Sequence, residues 1–410
     1  MDFRLFLRKK IVILFLIIPF LQPRGLVEMG MLGIGRWNSI NTLFYYMRIL
    51  VLLLLLFMCL IYRLKPHLIS LIALLFELLL VAINIYYGKK ITDSISNLFY
   101  IIAFILFFEL YLRIDIQNLI KIIVFILSIE ILLNLFSLIQ YPYPYGMYVN
   151  DNKWTRNWFL GYYNLHIFVF LPWLCFSEII LIKKKGKISI IPFIIMTFSA
   201  ILLKSSTTLT AVVIILFLYL IFGRKIKLKI INPVYIISAT VLASLLIIKY
   251  NIQYMFSSLI KYFFNKSADF TGRISIWQQA VNFFVRHPVL GNGTVYYSIY
   301  QEYGNVFTKQ SHNTFLDILV QRGIVGLFLF LLMFIIAGYY LYKNNFQKNE
   351  YGIILIITLV GYAVVFLTEM YCDFHMIYAI LFLMVNIKEI NDIMPIPRAK
   401  KIKLKLDYIK

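Results

Sequence analysis

Apolar residues in this chain are grouped in long continuous blocks that short polar segments separate. Each block has roughly the twenty residues that a helix needs to cross a bilayer, and it lacks the alternation of a membrane β-barrel. The pattern predicts an all-α polytopic membrane protein of about twelve transmembrane helices, near 11–29, 42–62, 67–87, 95–113, 118–140, 158–182, 186–203, 207–222, 231–249, 314–342, 351–368 and 372–388.

The composition agrees with a membrane protein. Of the 410 residues, 62% are hydrophobic and 14% are charged, whereas soluble domains have about 25% charged residues. The cysteines Cys59, Cys175 and Cys372 all lie in apolar blocks, which is not the pattern of a disulfide set or a metal site. The sequence has neither a cluster of His, Cys and carboxylate residues at metal-ligand spacing nor a nucleotide-binding glycine motif. It therefore predicts no metal and no cofactor.

The formal charge of +22 comes largely from lysine and arginine in short loops and in the C-terminal tail. This distribution follows the positive-inside rule and predicts a cytoplasmic-membrane protein with both termini in the cytoplasm. The basic tail, residues 391–410, is expected to rest on anionic membrane lipids rather than on nucleic acid. The pair Lys89–Lys90 is a local exception to the rule.

This orientation places two long loops outside the cell. The first covers 141–157 within a bundle formed by residues 1–249, and the second covers 250–313, before C-terminal spans at 314–390. In the second loop, Trp277, Ala280 and Phe284 recur at helical spacing and predict an amphipathic helix from Arg273 onward. Pro288 follows this helix, and the glycines Gly291 and Gly293 predict a tight turn.

The segment 314–342 would be roughly 43 Å long as a straight helix, longer than one span needs. We expect either that its first turns project from the membrane or that it breaks near Gly323. Gly323 and Gly326, three residues apart, are expected to let another helix approach closely. His312 and Asn313 precede this segment. A histidine at the mouth of a membrane bundle is a candidate proton-transfer group because imidazole titrates near neutral pH.

Cations on the outer side run against the topology rule, so a ligand is expected to retain them. Arginine donates two parallel hydrogen bonds to phosphate, and a helix N-terminus attracts anions. The candidate anion-binding residues are Arg156, Lys204, Arg273, Arg286 and Arg322, with Lys261, Lys266 and Lys309 in the same loop. The alternative is nonspecific contact with lipid headgroups. Carboxylates within spans are functional candidates by default, and here they are Glu77, Glu109, Glu130 and Glu178. They are scattered and have no evident basic partner at helical spacing, so most of them are expected to lie near the interfaces or to form pairs.

The order Arg273–Trp277, Pro288–Gly291–Gly293, His312–Asn313 and Gly323–Gly326 resembles the superfamily of O-antigen ligases and Wzy-type polysaccharide polymerases. The strong match covers roughly residues 270–330, and the span layout with one large late loop also fits. Arg156 resembles another outer arginine of the family more weakly. Lys204 stands where many members have arginine, and Leu327 stands where ligases commonly have threonine, which favours a polymerase.

The resemblance implies transfer of glycan from an undecaprenyl-diphosphate-linked donor to a lipid-linked acceptor, at the outer face of the cytoplasmic membrane. His312 would be the base, while Arg273, Arg156, Arg286 and Lys204 would bind diphosphate. Flippase and chain-length regulator proteins would be further partners. Two alternatives stay open: a ligase that moves finished glycan to another lipid or a protein, and a flippase for lipid-linked oligosaccharide. A flippase should carry cations at mid-membrane and internal repeats.

Overall fold

The computed structural model describes residues 7–31, 37–142, 148–149, 156–222, 232–264, 273–301, 304–308, 310–345, 349–370 and 375–397. Cys372, Lys266, Lys309 and the basic residues of the tail from 398 onward lie outside these ranges, and so does the side chain of Arg156.

Most of the described chain is α-helical. The helices are α1 (Lys10–Ile17), α2 (Arg24–Met31), α3 (Trp37–Ile61), α4 (Leu68–Tyr86), α5 (Thr92–Ile114), α6 (Ile116–Gln140), α7 (Ile167–Lys185), α8 (Ile191–Leu203), α9 (Ser206–Phe222), α10 (Pro233–Tyr250), α11 (Ser257–Phe264), α12 (Arg273–Arg286), α13 (Thr314–Lys343), α14 (Glu350–Phe366), α15 (Met376–Val385) and α16 (Ile387–Ile393).

Six of the described helices are long and apolar enough to cross a membrane. They are Ser39–Ile61 within α3, then α4, α5, α6, α10 and α13. Five shorter apolar stretches, Lys10–Phe20, Ile191–Leu203, Ser206–Ile221, Glu350–Phe366 and Met376–Val385, coincide with further predicted spans. The chain is thus a helical membrane protein, while the count of twelve spans stays a prediction.

Two predicted spans differ from the observed helices. The block 11–29 is not one helix, because α1 ends at Ile17, a short 3-10 helix containing Pro19 follows, and α2 begins only at Arg24. Proline lacks the N–H that a helix interior needs, which explains the break. The block 158–182 becomes helical only at Ile167, because its first residues form β-strands.

Small antiparallel sheets occur in both predicted outer loops, where the sequence analysis expected no strands. One sheet has the order β1 (Tyr148–Val149), β2 (Arg156–Trp158) and β3 (Gly161–Tyr162). The other is a hairpin of β4 (Tyr297–Gln301) and β5 (Gly304–Thr308), in which Tyr297 pairs with Thr308. These strands have two to five residues, too few to show a periodic signal against the surrounding polar sequence.

Helices from both ends of the chain share one hydrophobic core. Helix α13 packs against α4, α14 packs against α7 and α9, and α15 packs against α13. Buried residues from Leu7 to Met394 form a single contiguous cluster. The segments before and after the large loop are therefore interleaved, so the large loop is an insertion into one bundle.

Helix α13 breaks at Gly323, as one of the two expected alternatives predicted. Gly323 has φ 64° and ψ −164°, which lie outside the helical region. A Cβ at this position would lie 2.1 Å from the carbonyl oxygen of Val289, so only glycine fits. The close neighbour at Gly323 is therefore the Pro288–Gly293 turn. The nearest neighbour of Gly326 is the side chain of Arg322 in the same helix. The prediction that these two glycines let another helix approach closely was therefore wrong.

The Pro288–Gly293 turn pairs the backbone groups that the break leaves free. Ile324 N donates to Pro288 O (2.9 Å), while Asn292 N and Gly293 N donate to Val320 O (2.7 Å) and Gln321 O (2.9 Å). Unpaired backbone groups are costly in a buried position. The Pro–Gly–Gly and Gly–Gly motifs therefore form one structural unit.

Helix α12 packs by the face that its periodicity predicted. Ile276, Trp277 and Ala280 are buried in a second cluster with Tyr297 of β4. The cluster also includes Leu316 and Val320, from the first part of α13. The large loop is thus fixed against the segment of α13 that precedes the break.

Two of the carboxylates within predicted spans form ion pairs, one of the two outcomes expected for them. Glu109 pairs with Arg113 four residues later (3.1 Å), so it does have a partner at helical spacing. Glu77 of α4 pairs with Arg322 of α13 (3.2 Å), and Tyr378 donates to the same carboxylate (2.8 Å). Arg322 is completely buried and also donates to Phe76 O. It serves the packing of α4 on α13 and is not a free cation for a ligand.

Lys89, the exception to the charge rule, has a structural role. Its Nζ donates to the carbonyl oxygens of Asn292 and Thr294, the latter at 2.7 Å. Asn84 also binds this segment, because its Oδ1 accepts from Thr294 N (2.8 Å). The end of α4 and the residues after it thus anchor the glycine turn beside the break in α13.

Candidate active site

The start of α13 meets the end of α14 at one end of the bundle. Asn313 is the N-cap of α13, where its Oδ1 accepts from Leu316 N (3.0 Å) and from Ser244 Oγ (3.0 Å). Its Nδ2 donates to Leu367 O (3.2 Å), and Thr314 Oγ1 donates to Glu369 O (2.7 Å). The predicted His312–Asn313 motif is therefore joined to the segment Leu367–Glu369.

His312 adopts a backbone conformation that is unusual for histidine. Its φ is 56°, in the left-handed region that costs a non-glycine residue roughly 1–2 kcal/mol. Both backbone polar groups of the preceding residue, Ser311, are bound by side chains. Trp277 Nε1 donates to Ser311 O (3.0 Å), and both oxygens of Asp317 accept from Ser311 N at 3.0 Å. Backbone strain that the surroundings enforce is typical of functional sites.

Glu369 joins His312 to Arg273. His312 Nδ1 lies 3.0 Å from Glu369 Oε2, and Arg273 donates to Glu369 Oε1 at 2.8 Å. Arg273 also donates to Thr368 O at 2.6 Å. The side chains are 8% exposed for Glu369, 14% for Arg273 and 28% for His312. The imidazole is therefore the member of this triad that solvent reaches most easily.

A further polar chain supports the carboxylate of Glu369. Asn164, just before α7, donates to Glu369 Oε1 (2.8 Å), and Ser205, just before α9, donates to Asn164 Oδ1 (2.7 Å). Burial raises the pKa of Glu369, but the neighbouring charges of Arg273 and His312 outweigh burial and hold the pKa below its ordinary value. The carboxylate is thus ionised and fixed in direction.

An ionised Glu369 at Nδ1 determines how neutral His312 is protonated. A carboxylate accepts but does not donate, so Nδ1 carries the proton and Nε2 keeps its lone pair. The same carboxylate stabilises the imidazolium that forms when Nε2 takes a proton, the arrangement of a base and its orienting acid. The triad can therefore accept a proton from a bound hydroxyl group.

The predicted anion-binding residues are not all together. Arg273 is in the triad, but two of its N–H groups are given to Glu369 and Thr368. Lys204 is exposed at the end of α8, next to Ser205. Arg286 lies thirteen residues after Arg273 on α12, roughly 20 Å along the helix, with its guanidinium over Phe283. We therefore leave Arg286 out of the site, while for Arg156 only the backbone, in β2, is described.

Glu369 and Asn164 complete the site, although no motif in the sequence predicted a role for either side chain. Glu369 lies just after an apolar helix, at the same end of the bundle as His312. The signal was a carboxylate in a short connection between two apolar blocks. Its partners lie 57 and 96 residues away, a separation at which no local pattern operates.

A cavity of about 540 Å³ is lined by residues that adjoin members of the site in sequence. Its wall includes Gln310, two residues before His312, and Met370, directly after Glu369. Leu165, next to Asn164, also lines it. The site thus has an adjacent space in which a substrate fits, in the size range of ligand pockets.

Comparison with known proteins supports the resemblance read from the motifs. A family model described as O-antigen ligase matches residues 191–331. No curated protein matches the chain. The matched segment contains Lys204, Arg273, His312 and both glycine motifs, whereas Asn164 and Glu369 lie outside it. The family implies membrane glycan processing by a glycosyltransferase-type enzyme, and the resemblance to O-antigen ligases and Wzy-type polymerases is confirmed for this segment.

Proposed function

We propose that the protein polymerises lipid-linked oligosaccharide repeat units at the outer face of the cytoplasmic membrane. The observation that carries the proposal is the pairing of His312 Nδ1 with Glu369 beside Arg273, next to a cavity. The growing glycan leaves undecaprenyl diphosphate and joins a sugar hydroxyl of a new repeat unit. A surface polysaccharide such as capsule, exopolysaccharide or O-antigen is the product.

His312 is the general base in this reaction. The acceptor oxygen attacks the anomeric carbon of the donor, the bond from that carbon to the diphosphate oxygen breaks, and undecaprenyl diphosphate leaves with the electron pair. The hydroxyl proton passes to His312 Nε2. Glu369 stabilises the resulting imidazolium through Nδ1–H. General base catalysis of this kind contributes roughly 10²–10⁴ in rate.

Arg273 has two tasks in this proposal. It fixes Glu369 through the 2.8 Å ion pair, and its remaining N–H groups face the leaving diphosphate. A guanidinium has five N–H donors in a rigid fork, so two bonds to protein leave donors for phosphate. Lys204 and Arg156 supply further positive charge, and the N-terminus of α13 adds its dipole.

A ligase is the second candidate, because the matching family model is described as O-antigen ligase. The same base and diphosphate site would then move finished glycan to another lipid or a protein. Gene deletion followed by gel analysis of surface glycan separates the candidates. Loss of long chains with single repeats left on lipid supports the polymerase. Full-length lipid-linked chains indicate a ligase, and repeat units trapped on the inner leaflet indicate a flippase.

The base is tested with His312→Asn. Asparagine tolerates positive φ better than alanine does, so this variant removes the imidazole with little backbone penalty. We expect turnover of lipid-linked repeat units to fall roughly 10²–10⁴-fold, with unchanged donor binding and a loss of stability no larger than the about 1–3 kcal/mol of one hydrogen bond to a charged group. Turnover within a few-fold of wild type would end the general-base assignment. Lost donor binding at nearly normal maximal rate would move His312 to the diphosphate site.

A further inference from the structure

The cavity beside the triad contains a second cationic centre, away from His312. Arg24 at the start of α2 and Arg48 within α3 both line it. Arg48 lies six residues after the predicted start of this span near 42, so it is roughly 9 Å along the helix. An arginine at that depth in a span is costly and marks a ligand or ion pathway.

Neutral groups hold Arg48 in place. Its Nε donates to Pro19 O and its Nη2 donates to Gln22 Oε1, each at 2.8 Å. The guanidinium lies 4.8 Å from the centre of the Tyr100 ring. In the part of the chain that the structure describes, no carboxylate forms an ion pair with Arg48. A charge inside a membrane bundle requires a counter-ion, so an anion from outside the protein is expected.

The remaining wall of the cavity indicates what carries that anion. Apolar side chains of α5, α6 and α7 line it, including Phe99, Leu127, Phe168 and Val169. The acidic groups of the wall are Asp93 and Glu130, and its neutral polar groups include Ser96, Asn97 and Gln310. His375 also lines it and is bound by the Tyr100 hydroxyl (2.6 Å to Nδ1). Cations beside an apolar wall fit an amphipathic ligand with a phosphate head and a hydrocarbon chain.

The chemistry of the proposed reaction requires two such ligands at once. The donor diphosphate leaves from the reacting carbon and must therefore lie beside His312. The acceptor reacts through a hydroxyl at the opposite end of its repeat unit, so its diphosphate lies a whole repeat unit away from His312. Arg48 contacts Pro19, Gln22 and Tyr100 rather than any member of the triad. The cavity extends from Arg48 to Gln310 and Met370, which flank the triad.

We propose that Arg24 and Arg48 bind the diphosphate of the lipid-linked acceptor, whose glycan extends through the cavity toward His312. This inference rests on the proposed function, since it assigns the second substrate of that reaction. It also explains why a cation is needed within a span of α3, outside the matched segment 191–331.

Binding is measured first, without any reaction. The protein in phosphatidylcholine nanodiscs is titrated with undecaprenyl diphosphate, and bound lipid is counted by native mass spectrometry. We expect Arg48→Gln and Arg24→Gln each to weaken binding about tenfold, the effect of roughly 1.4 kcal/mol. Lys121→Gln removes one positive charge from α6 outside the cavity lining and should leave binding unchanged. Equal affinity of all variants would overturn the proposal.

The source of the anion is tested by competition. Phosphatidylglycerol added to the nanodiscs should not displace undecaprenyl diphosphate, and inorganic pyrophosphate should compete weakly because it lacks the apolar chain. Displacement by an equal amount of phosphatidylglycerol would mean that the centre binds ordinary lipid headgroups, and it would overturn the acceptor assignment. Arg48 donates two hydrogen bonds within the protein, so Arg48→Gln can misfold. In that case the binding result of Arg24→Gln decides, because Arg24 is exposed.

Kinetics then assigns the site to acceptor or donor. With a long-chain lipid-linked donor held constant, the KM for a single lipid-linked repeat unit should rise about tenfold in Arg24→Gln, at nearly unchanged kcat. A raised KM for the donor instead would overturn the assignment. If wild-type protein binds undecaprenyl diphosphate through Arg24 and Arg48 but transfers no glycan, the site stands and the proposed function fails.

Discussion

Glu369→Gln is the sharpest test of the triad, because it removes a charge and changes almost no volume. The carboxylate now accepts from Arg273, His312 and Asn164. An amide has one oxygen and an NH₂ group that donates. Oriented toward Arg273 and Asn164, the amide oxygen keeps those bonds, and the NH₂ group then faces His312 Nδ1. The imidazole proton moves to Nε2, so the base loses its lone pair on the reactive side.

Glu369→Gln should lower both the turnover and the stability of the protein, by different amounts. Turnover should fall about 10²–10⁴-fold, which corresponds to about 3–5 kcal/mol of transition-state stabilisation. Stability should fall less, by about 1–3 kcal/mol, the range for hydrogen bonds to charged groups. The partly exposed Arg273 and His312 side chains remain accessible to water, so the larger cost of an isolated buried charge is not expected.

The assay uses purified protein in nanodiscs with lipid-linked repeat units, and products are separated by gel according to length. Glu109→Gln is the matched control, since Glu109 is also a buried glutamate with an arginine partner and lies near the C-terminus of α5. It should cost stability but leave turnover of the folded fraction unchanged. Turnover of Glu369→Gln close to wild type would refute the orienting role. An equal loss in Glu109→Gln would show that the assay reports stability alone.

Three more predictions follow from the geometry. Arg273→Lys should reduce turnover at least tenfold, because an ammonium cannot reproduce the two directed bonds to Glu369 and Thr368, whereas Arg113→Lys at the other ion pair should not. The pKa of Glu369 is lower in the folded state than its ordinary value of 4.5, so its stabilising effect is complete above pH 4.5 and is lost as the pH falls through the folded pKa. The difference in thermal midpoint between wild type and Glu369→Gln should therefore stay constant from pH 7 to about 5 and shrink at lower pH. Gly323→Ala should destabilise far more than Gly88→Ala in thermal unfolding, because both glycines have positive φ but only Gly323 lacks room for a Cβ.

Features with a local periodic signal could be predicted from the sequence. The apolar blocks predicted where the helices lie, and the spacing of Trp277 and Ala280 predicted both α12 and its buried face. The excessive length of the block 314–342 predicted either a projecting first part or a break near Gly323, and the structure has the break. In each case the cause lies within a few turns of one helix, where hydrophobic periodicity and glycine chemistry act.

The partners of the charged residues could not be predicted in this way. Glu77 and Arg322 are 245 residues apart, and Lys89 reaches carbonyl groups more than 200 residues away. Such contacts depend on how the helices pack, so Arg322 was placed among the ligand-binding cations although it is buried. Glu369 was missed for the same reason, since its role arises only when α13, α14 and α12 meet.

Solvent access separates the functional charges from the structural ones. The Glu77–Arg322 pair is almost completely buried, with side chains 3% and 0% exposed, so no substrate reaches it. Removing one partner by Arg322→Met should cost about 3–5 kcal/mol, because a buried carboxylate is left unpaired. The double variant Arg322→Met with Glu77→Leu should recover much of that loss, since both charges are gone and the pocket becomes apolar. Chemical unfolding of both variants measures this coupling, and transfer by the folded fraction should be preserved in both. A stable Arg322→Met protein that no longer transfers glycan would contradict this division and return Arg322 to the active site.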